Sequence, residues 1–142
     1  MAIPISGWCN QPWGVSINGK YFEKEISLSI VKKIKALNTN KNINIVLTRE
    51  TDIYQSPPEK ATFTNNAGAD VMVSIHLGAT EVDSAALKSG INFFVAKDNF
   101  ENAFKSKILA SALIGAFKNN TDLSLLRIFC NRQFGIIFKW AY

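Results

Sequence analysis

Segments with apolar residues at helical spacing alternate along this chain with short β-branched runs, and that alternation predicts an α/β fold. The expected form is a single domain over residues 1–142, with a mostly parallel central sheet of about five strands flanked by helices. Its size agrees: 142 residues with 47% hydrophobic and 19% charged is ordinary for one compact globular domain. No internal repeat, low-complexity tract or interdomain linker interrupts the pattern.

The first helix is predicted over Phe22 to Leu37, where Ile26, Ile30, Val31, Ile34 and Leu37 recur at helical spacing while Lys32, Lys33 and Lys35 fall elsewhere on the cylinder. The polar cluster Asn38-Thr39-Asn40-Lys41-Asn42 ends it, and Ile43 to Leu47 follows as a strand. Ser56-Pro57-Pro58-Glu59 opens a short helix as a capping box: serine accepts from a first-turn amide, glutamate reaches back, and Pro57 sits where no amide hydrogen is needed. Asp70 to His76 reads as a buried strand, with Val71, Val73 and Ile75 alternating with Met72 and Ser74. Gly90 to Ala96 reads as another, Phe100 to Lys118 as a long amphipathic helix ended by Asn119-Asn120, and Gly135 to Lys139 as a last strand. At the opposite end, Pro4 sits where a central strand would need an amide donor, which argues against a strand there.

The formal net charge of +5 comes from lysines scattered over helix-like segments, including Lys105, Lys107 and Lys118, which points to solvated faces. There is no aromatic-basic motif of the RNA-binding type and no zinc-finger spacing, so no nucleic-acid partner is expected. No apolar run approaches the roughly 18 residues that cross a bilayer, and the first residues have the features of neither a signal peptide nor an anchor. The two cysteines, Cys9 and Cys130, allow one disulfide, two free thiols or a metal ligand, and spacing does not choose among these.

Few residues can do chemistry. His76, the only histidine, lies at the end of a hydrophobic strand, where ligands and catalytic groups collect in parallel α/β sheets. Read alone, it is a histidine capping a strand without a ligand. Glu23 stands just before the first helix, where an acidic residue is favoured by the helix dipole whether or not it has another role. Arg49 and Asp52 follow the strand Ile43 to Leu47, and their expected role is to fix that loop by a charge-assisted hydrogen bond.

Taken together, these strings fall into a known order. Asn18-Gly19, then Glu23-Lys24-Glu25 and Leu28, then Leu47-Thr48-Arg49 with Asp52, then Asn65, then Ala69-Asp70 with Val73-Ser74-Ile75-His76 resemble the zinc-dependent N-acetylmuramoyl-L-alanine amidases of bacterial peptidoglycan. Gly90, Leu109-Ala110 and Gly135 to Phe138 extend the resemblance to about Lys139. It implies a phosphorylase/hydrolase-like α/β fold and a catalytic zinc held by two histidines and a glutamate. A water would occupy the open position and a second glutamate would act as general base. Zinc lowers the pKa of its water to roughly 7 and polarises the amide carbonyl, while a carboxylate takes the proton from the attacking water. Carried over to this chain, Glu23 matches the metal-binding glutamate and His76 the second histidine.

Two parts of the family pattern are missing. The stretch that would read Asp-x-Gly-His-Gly-Gly reads Pro4-Ile5-Ser6-Gly7-Trp8-Cys9-Asn10, so the first histidine is absent. Cys9 lies within two residues of its place; a thiolate is a good zinc ligand, and Cys9, Glu23 and His76 would make a three-donor set, although a free, buried or disulfide-linked cysteine is the commoner fate. The chain stops at Tyr142, about where the family's Val-Glu-x-Gly-Phe strand would bring the general base, so the domain is expected to be incomplete at its C-terminus, with an open sheet edge that an oligomer could cover. Glu81 and Asp83 are the first candidates for a replacement base. The resemblance therefore implies a peptidoglycan partner, a zinc cofactor, a place in the cell envelope or outside the cell, and weakened or lost hydrolysis. The competing expectation is a non-catalytic peptidoglycan-binding homologue.

Overall fold

A computed structural model describes residues 2–7, 16–17, 21–78, 90–122, 125–131 and 136–141, with side-chain surroundings for 22–77 and 90–122. The chain divides into two units, Met1–His76 and Leu77–Tyr142. Helices and strands alternate in both, as an α/β chain requires.

The first unit contains β1 (Ala2–Gly7), β2 (Ser16–Ile17), β3 (Tyr21–Phe22), α1 (Glu23–Leu37), β4 (Asn44–Leu47), α2 (Pro57–Asn66) and, as far as His76, β5 (Val73–Gly78). Strand β1 pairs in parallel with β4 on one side, Ala2 opposite Asn44 through Ile5 opposite Leu47, and with β5 on the other, Ile5 opposite Val73 through Gly7 opposite Ile75. The expectation that Pro4 excludes a central strand is overturned. Pairing with β5 begins only at Ile5, so Pro4 has a neighbour on the β4 side alone, and its missing donor falls ahead of the stretch flanked on both sides. Strands β2 and β3 form a small antiparallel pair that leads directly into α1.

Helix α1 packs on β1 and β4 through Glu23, Ser27 and Val31, each four residues from the last, which is the spacing of one helix face. Ser27 is fully buried, and its small side chain turns its hydroxyl back to the Lys24 carbonyl at 3.3 Å. The apolar stripe read from the sequence is only partly buried. Ile26 and Ile30 are half-buried, and Ile34 and Leu37 are exposed, because every residue from 32 to 37 lies beyond the supported part of the helix. The asparagine cluster then closes the loop with its own side chains: Asn38 Nδ2 donates to the Ile43 carbonyl at 2.7 Å, and the Asn40 and Asn42 amides donate to Asn38 Oδ1 and Asn40 Oδ1.

Helix α2 has well-defined stops at both ends. The Glu59 amide donates to Ser56 Oγ, and the Ser56 amide donates to Glu59 Oε2 at 2.6 Å, completing the capping box expected there. At the other end the Gly68 amide reaches the Asn65 carbonyl and the Ala69 amide reaches the Thr64 carbonyl, the paired bonds of a Schellman turn. Gly68 adopts φ +58°, a region that costs a side-chain-bearing residue energy. The chain spends residues 67–72 leaving this turn, so β5 starts at Val73 and continues past His76 to Gly78.

Arg49, immediately after β4, connects the strand end to the start of α1. Its side chain is buried; Nη2 donates to the Lys24 carbonyl at 2.6 Å, Nη1 donates to the Thr51 carbonyl at 3.0 Å, and Nη1 stands 4.0 Å from Asp52 Oδ1. Asp52 in turn pairs with the Lys24 ammonium. The planar fork of the guanidinium allows one residue to donate to two carbonyls, whereas Asp52, at 4.0 Å, is an ion-pair neighbour and not the hydrogen-bond acceptor expected from the sequence.

The second unit contains β6 (Gly90–Ala96), α3 (Ala103–Asn120), β7 (Leu125–Asn131) and β8 (Ile136–Ala141). Strand β6 pairs in parallel with β7 and antiparallel with β8. Ile91, Phe93, Val95 and Ala110 form a buried cluster with Leu109, Leu113, Ile114 and Phe117 packed against it, and the Phe93 and Phe117 rings meet edge to face at 6.1 Å. Small residues Ala103, Ser106 and Ala110 form the buried face of α3, and Ser106 Oγ accepts from the Ala96 amide at 3.2 Å. Helix α3 starts three residues later than expected and includes Asn119 and Asn120, because Thr121 caps it with both its amide and its hydroxyl on the Phe117 carbonyl.

Arg49→Lys is expected to lower unfolding free energy by about 1.5–3 kcal/mol, the range for hydrogen bonds made by a charged group, because an ammonium cannot span both carbonyls. Asp52→Asn, at an exposed partner, should cost less than about 1 kcal/mol. Urea denaturation compares the two, and equal losses would contradict the role given to the guanidinium.

Ser56→Ala should cost about 1 kcal/mol by removing the cap. Hydrogen bonds from the Ser56 hydroxyl, and then from its amide, hold the Glu59 carboxyl below the ordinary glutamate range. A depressed folded-state value means that the Glu59 contribution is present above the unfolded value and disappears as pH falls through the folded one. The stability gap between the parent chain and Glu59→Gln should therefore be present at neutral pH and close in acid. A gap that widens in acid would contradict the capping geometry.

Candidate functional site

Two of the residues singled out in the sequence meet in the first unit. Glu23 is the first residue of α1, and its helix start is held by the Arg49 bond to the Lys24 carbonyl. His76 is the fourth residue of β5, the strand beside β1. Oε1 of Glu23 lies 3.1 Å from Nδ1 of His76. Glu23 is 5% exposed, whereas Glu25, also in the first turn, is exposed, as a carboxylate that only complements the helix end would be. A buried carboxylate needs a positive or hydrogen-bonding partner, and the imidazole is one such partner.

The far side of the ring is also engaged. Ser74 Oγ lies 3.0 Å from His76 Nε2. Ser74 has no role in any motif of the sequence, although the strand period contains the signal: residues two apart in a strand project to the same face. The sequence pairs Arg49 with Asp52 alone, and its link to the Lys24 carbonyl depends on a residue 25 positions away that no local pattern reveals. Cys9, Glu81 and Asp83 lie outside the described residues, as does the side chain of Cys130.

The donors can be tested against zinc. Imidazole nitrogen and carboxylate oxygen are both ordinary zinc donors, with bonds of about 2.0–2.2 Å, so two of them on one tetrahedral ion stand about 3.3–3.6 Å apart. The observed 3.1 Å is close to that edge, and the pair fits two corners of such a site with little movement. Among the described residues no group of three His, Cys, Asp or Glu side chains is gathered to hold a metal.

A family model described as N-acetylmuramoyl-L-alanine amidase matches residues 9–137. The probable N-acetylmuramoyl-L-alanine amidase AmiB of Haemophilus influenzae is 35% identical over 141 residues, covering 92% of this chain and 32% of that protein. An endolysin of Bacillus phage SPP1 is 40% identical over 68 residues, covering 47% of this chain and 25% of that one. The chain thus spans no more than about a third of the length of these curated relatives. Among solved structures, the catalytic domain of CwlV, an N-acetylmuramoyl-L-alanine amidase from Bacillus (Paenibacillus) polymyxa var. colistinus, superposes with a TM-score of 0.78 at 21% identity, covering 97% of this chain and 78% of that one. With the sequence strings and the α/β fold in agreement, the chain belongs to the N-acetylmuramoyl-L-alanine amidase family.

Proposed function

We propose that this chain is a peptidoglycan amidase domain, directed at the amide bond between N-acetylmuramic acid and L-alanine, with Glu23 and His76 as two ligands of a zinc ion. The observation that carries this reading is the 3.1 Å approach of a buried carboxylate to a strand-borne imidazole, at positions that match the family's metal-binding glutamate and second histidine. When bound, zinc supplies a Lewis acid for the amide carbonyl and an acidified water. The chain's own residues do the rest of the positioning. Glu23 and His76 present two fixed donors, and Arg49 holds the helix start from which Glu23 projects. The place of action is the cell wall, as for the amidases it resembles, and among the described residues no helix is long and apolar enough to cross a membrane.

A second reading rests on one feature of the sequence. The chain carries a single histidine, where the family resemblance implies two, so it has one imidazole ligand to offer. A site short of a ligand favours a protein that holds the glycan and peptide but cleaves slowly or not at all, because catalytic zinc ordinarily has three protein ligands. Cys9 is the donor to test as a third, and Glu81 and Asp83 are the carboxylates to test as general base.

Protein purified without chelator is expected to retain less than one zinc per chain after dialysis, and Glu23→Ala or His76→Ala should remove what remains, while Cys9→Ser should leave it unchanged. One tightly held zinc that Cys9→Ser abolishes would make the thiolate a ligand and overturn the deficient-site reading. Release of stem peptides from purified cell walls with added zinc is expected to be more than about 100-fold slower than by a three-ligand amidase, since disturbing only the groups behind a zinc ligand already costs about 10–100-fold. Turnover at the rate of a three-ligand enzyme, lost in His76→Ala, would refute the slow-enzyme reading. Failure to bind cell walls at all would refute both.

A further inference from the structure

We infer that Ser74 is a positioning residue for the metal centre: its hydroxyl serves Nε2 of His76 in both tautomers of the ring, so that Nδ1 can exchange a proton for a metal ion without the imidazole moving. This rests on the reading of Glu23 and His76 as ligands.

The geometry assigns the two ring nitrogens different work. Nδ1 faces Oε1 of Glu23 at 3.1 Å, and Nε2 faces Ser74 Oγ at 3.0 Å. A carboxylate only accepts, so a neutral metal-free ring meets Glu23 with its hydrogen on Nδ1 and leaves Nε2 an acceptor. Ser74 then donates its hydroxyl hydrogen to Nε2. Once Nδ1 is a ligand it can carry no hydrogen, and a neutral ring must hold its proton on Nε2, which becomes a donor. A hydroxyl has one donor and two acceptor sites and rotates freely about its C–O bond, so Ser74 can turn its lone pair to that proton from the same position. The change breaks one N–H bond at Nδ1 and forms one at Nε2; the ring's proton count is unchanged, and the serine hydrogen turns away from Nε2. A carbonyl in place of Ser74 would serve only the loaded tautomer, and an ammonium only the empty one.

The placement follows from the strand. Ser74 and His76 are two residues apart in β5, and the segment from Ser74 to Ile75 is held in register beside Ser6 and Gly7 of β1. Glu23, itself buried, comes from the first turn of α1. The ring is thus gripped from both sides by elements of one unit.

The single histidine makes the test direct, because imidazole nitrogen resonances from ¹⁵N-labelled protein belong to His76 alone. The variants are Ser74→Thr, which keeps the hydroxyl, and Ser74→Val, which has nearly the shape of threonine without it. In the parent chain the metal-free spectrum should show the Nδ1–H tautomer, and zinc titration should convert it to the Nε2–H form. Ser74→Thr should do the same with affinity within about 3-fold, while Ser74→Val should keep the Nδ1–H form without metal, since Glu23 still sets it, and bind zinc about 10–100-fold more weakly, the usual cost of losing a group behind a ligand. Zinc affinity unchanged in Ser74→Val, with binding still lost in Glu23→Ala, would overturn the role of Ser74 and leave the metal site standing. No zinc-dependent change in the parent chain would overturn the metal site and this inference with it. The serine–imidazole–carboxylate order is also that of an acyl-transfer triad, and covalent labelling of Ser74 by a fluorophosphonate probe would make it a nucleophile and overturn the positioning role.

Discussion

A carboxylate at the first residue of a helix and an imidazole in the middle of a strand can meet at 3.1 Å only if the helix start is held in place, and the guanidinium of Arg49 does that holding. Because Arg49 follows β4 directly, its reach to the Lys24 carbonyl couples the end of one parallel strand to the first turn of α1. Strand β4 is registered to β1, and β1 to β5, which carries His76. The Glu23–His76 contact thus depends on a continuous set of backbone pairings closed by one buried cation. Burial raises the stakes, since a desolvated carboxylate without a partner is among the costlier things a fold can contain.

Much of this frame was legible in the sequence, for identifiable reasons. The capping box at Ser56 and Glu59 could be read because both partners lie within one helical turn, and the β6 strand because a β-branched and aromatic run follows a glycine. The candidate pair Glu23 and His76 was found through family strings, each by itself having an ordinary explanation as a helix-start acid or a strand-capping histidine. What escaped was what depends on tertiary context. Residues 125–131 form β7, although a short apolar run containing Arg127 does not distinguish strand from helix. Ile34 and Leu37 belong to an apolar stripe yet are exposed, because periodicity reports a helix face and not how far the support beneath it extends. Pro4 lies in a strand with neighbours on both sides because the second neighbour starts one residue later, a matter of register that no single strand reveals.

The chemistry of the pair explains why family membership and activity are separate questions here. Two donors placed near the edge length of a zinc tetrahedron could supply two corners of a metal site. Rate depends on the remaining coordination and on a base placed beside the attacking water, and these act as a unit, so that losing one member can cost nearly as much as losing all.

The central claim is that Glu23 and His76 share one metal ion, and crystals equilibrated with zinc and measured on both sides of the zinc absorption edge test it most directly. The account predicts an anomalous peak about 2.0–2.2 Å from both Nδ1 of His76 and an Oε atom of Glu23, with Nε2 still facing Ser74. A peak bound through Nε2, or zinc found only away from this pair while Nδ1 and Oε1 keep their direct contact, would contradict it.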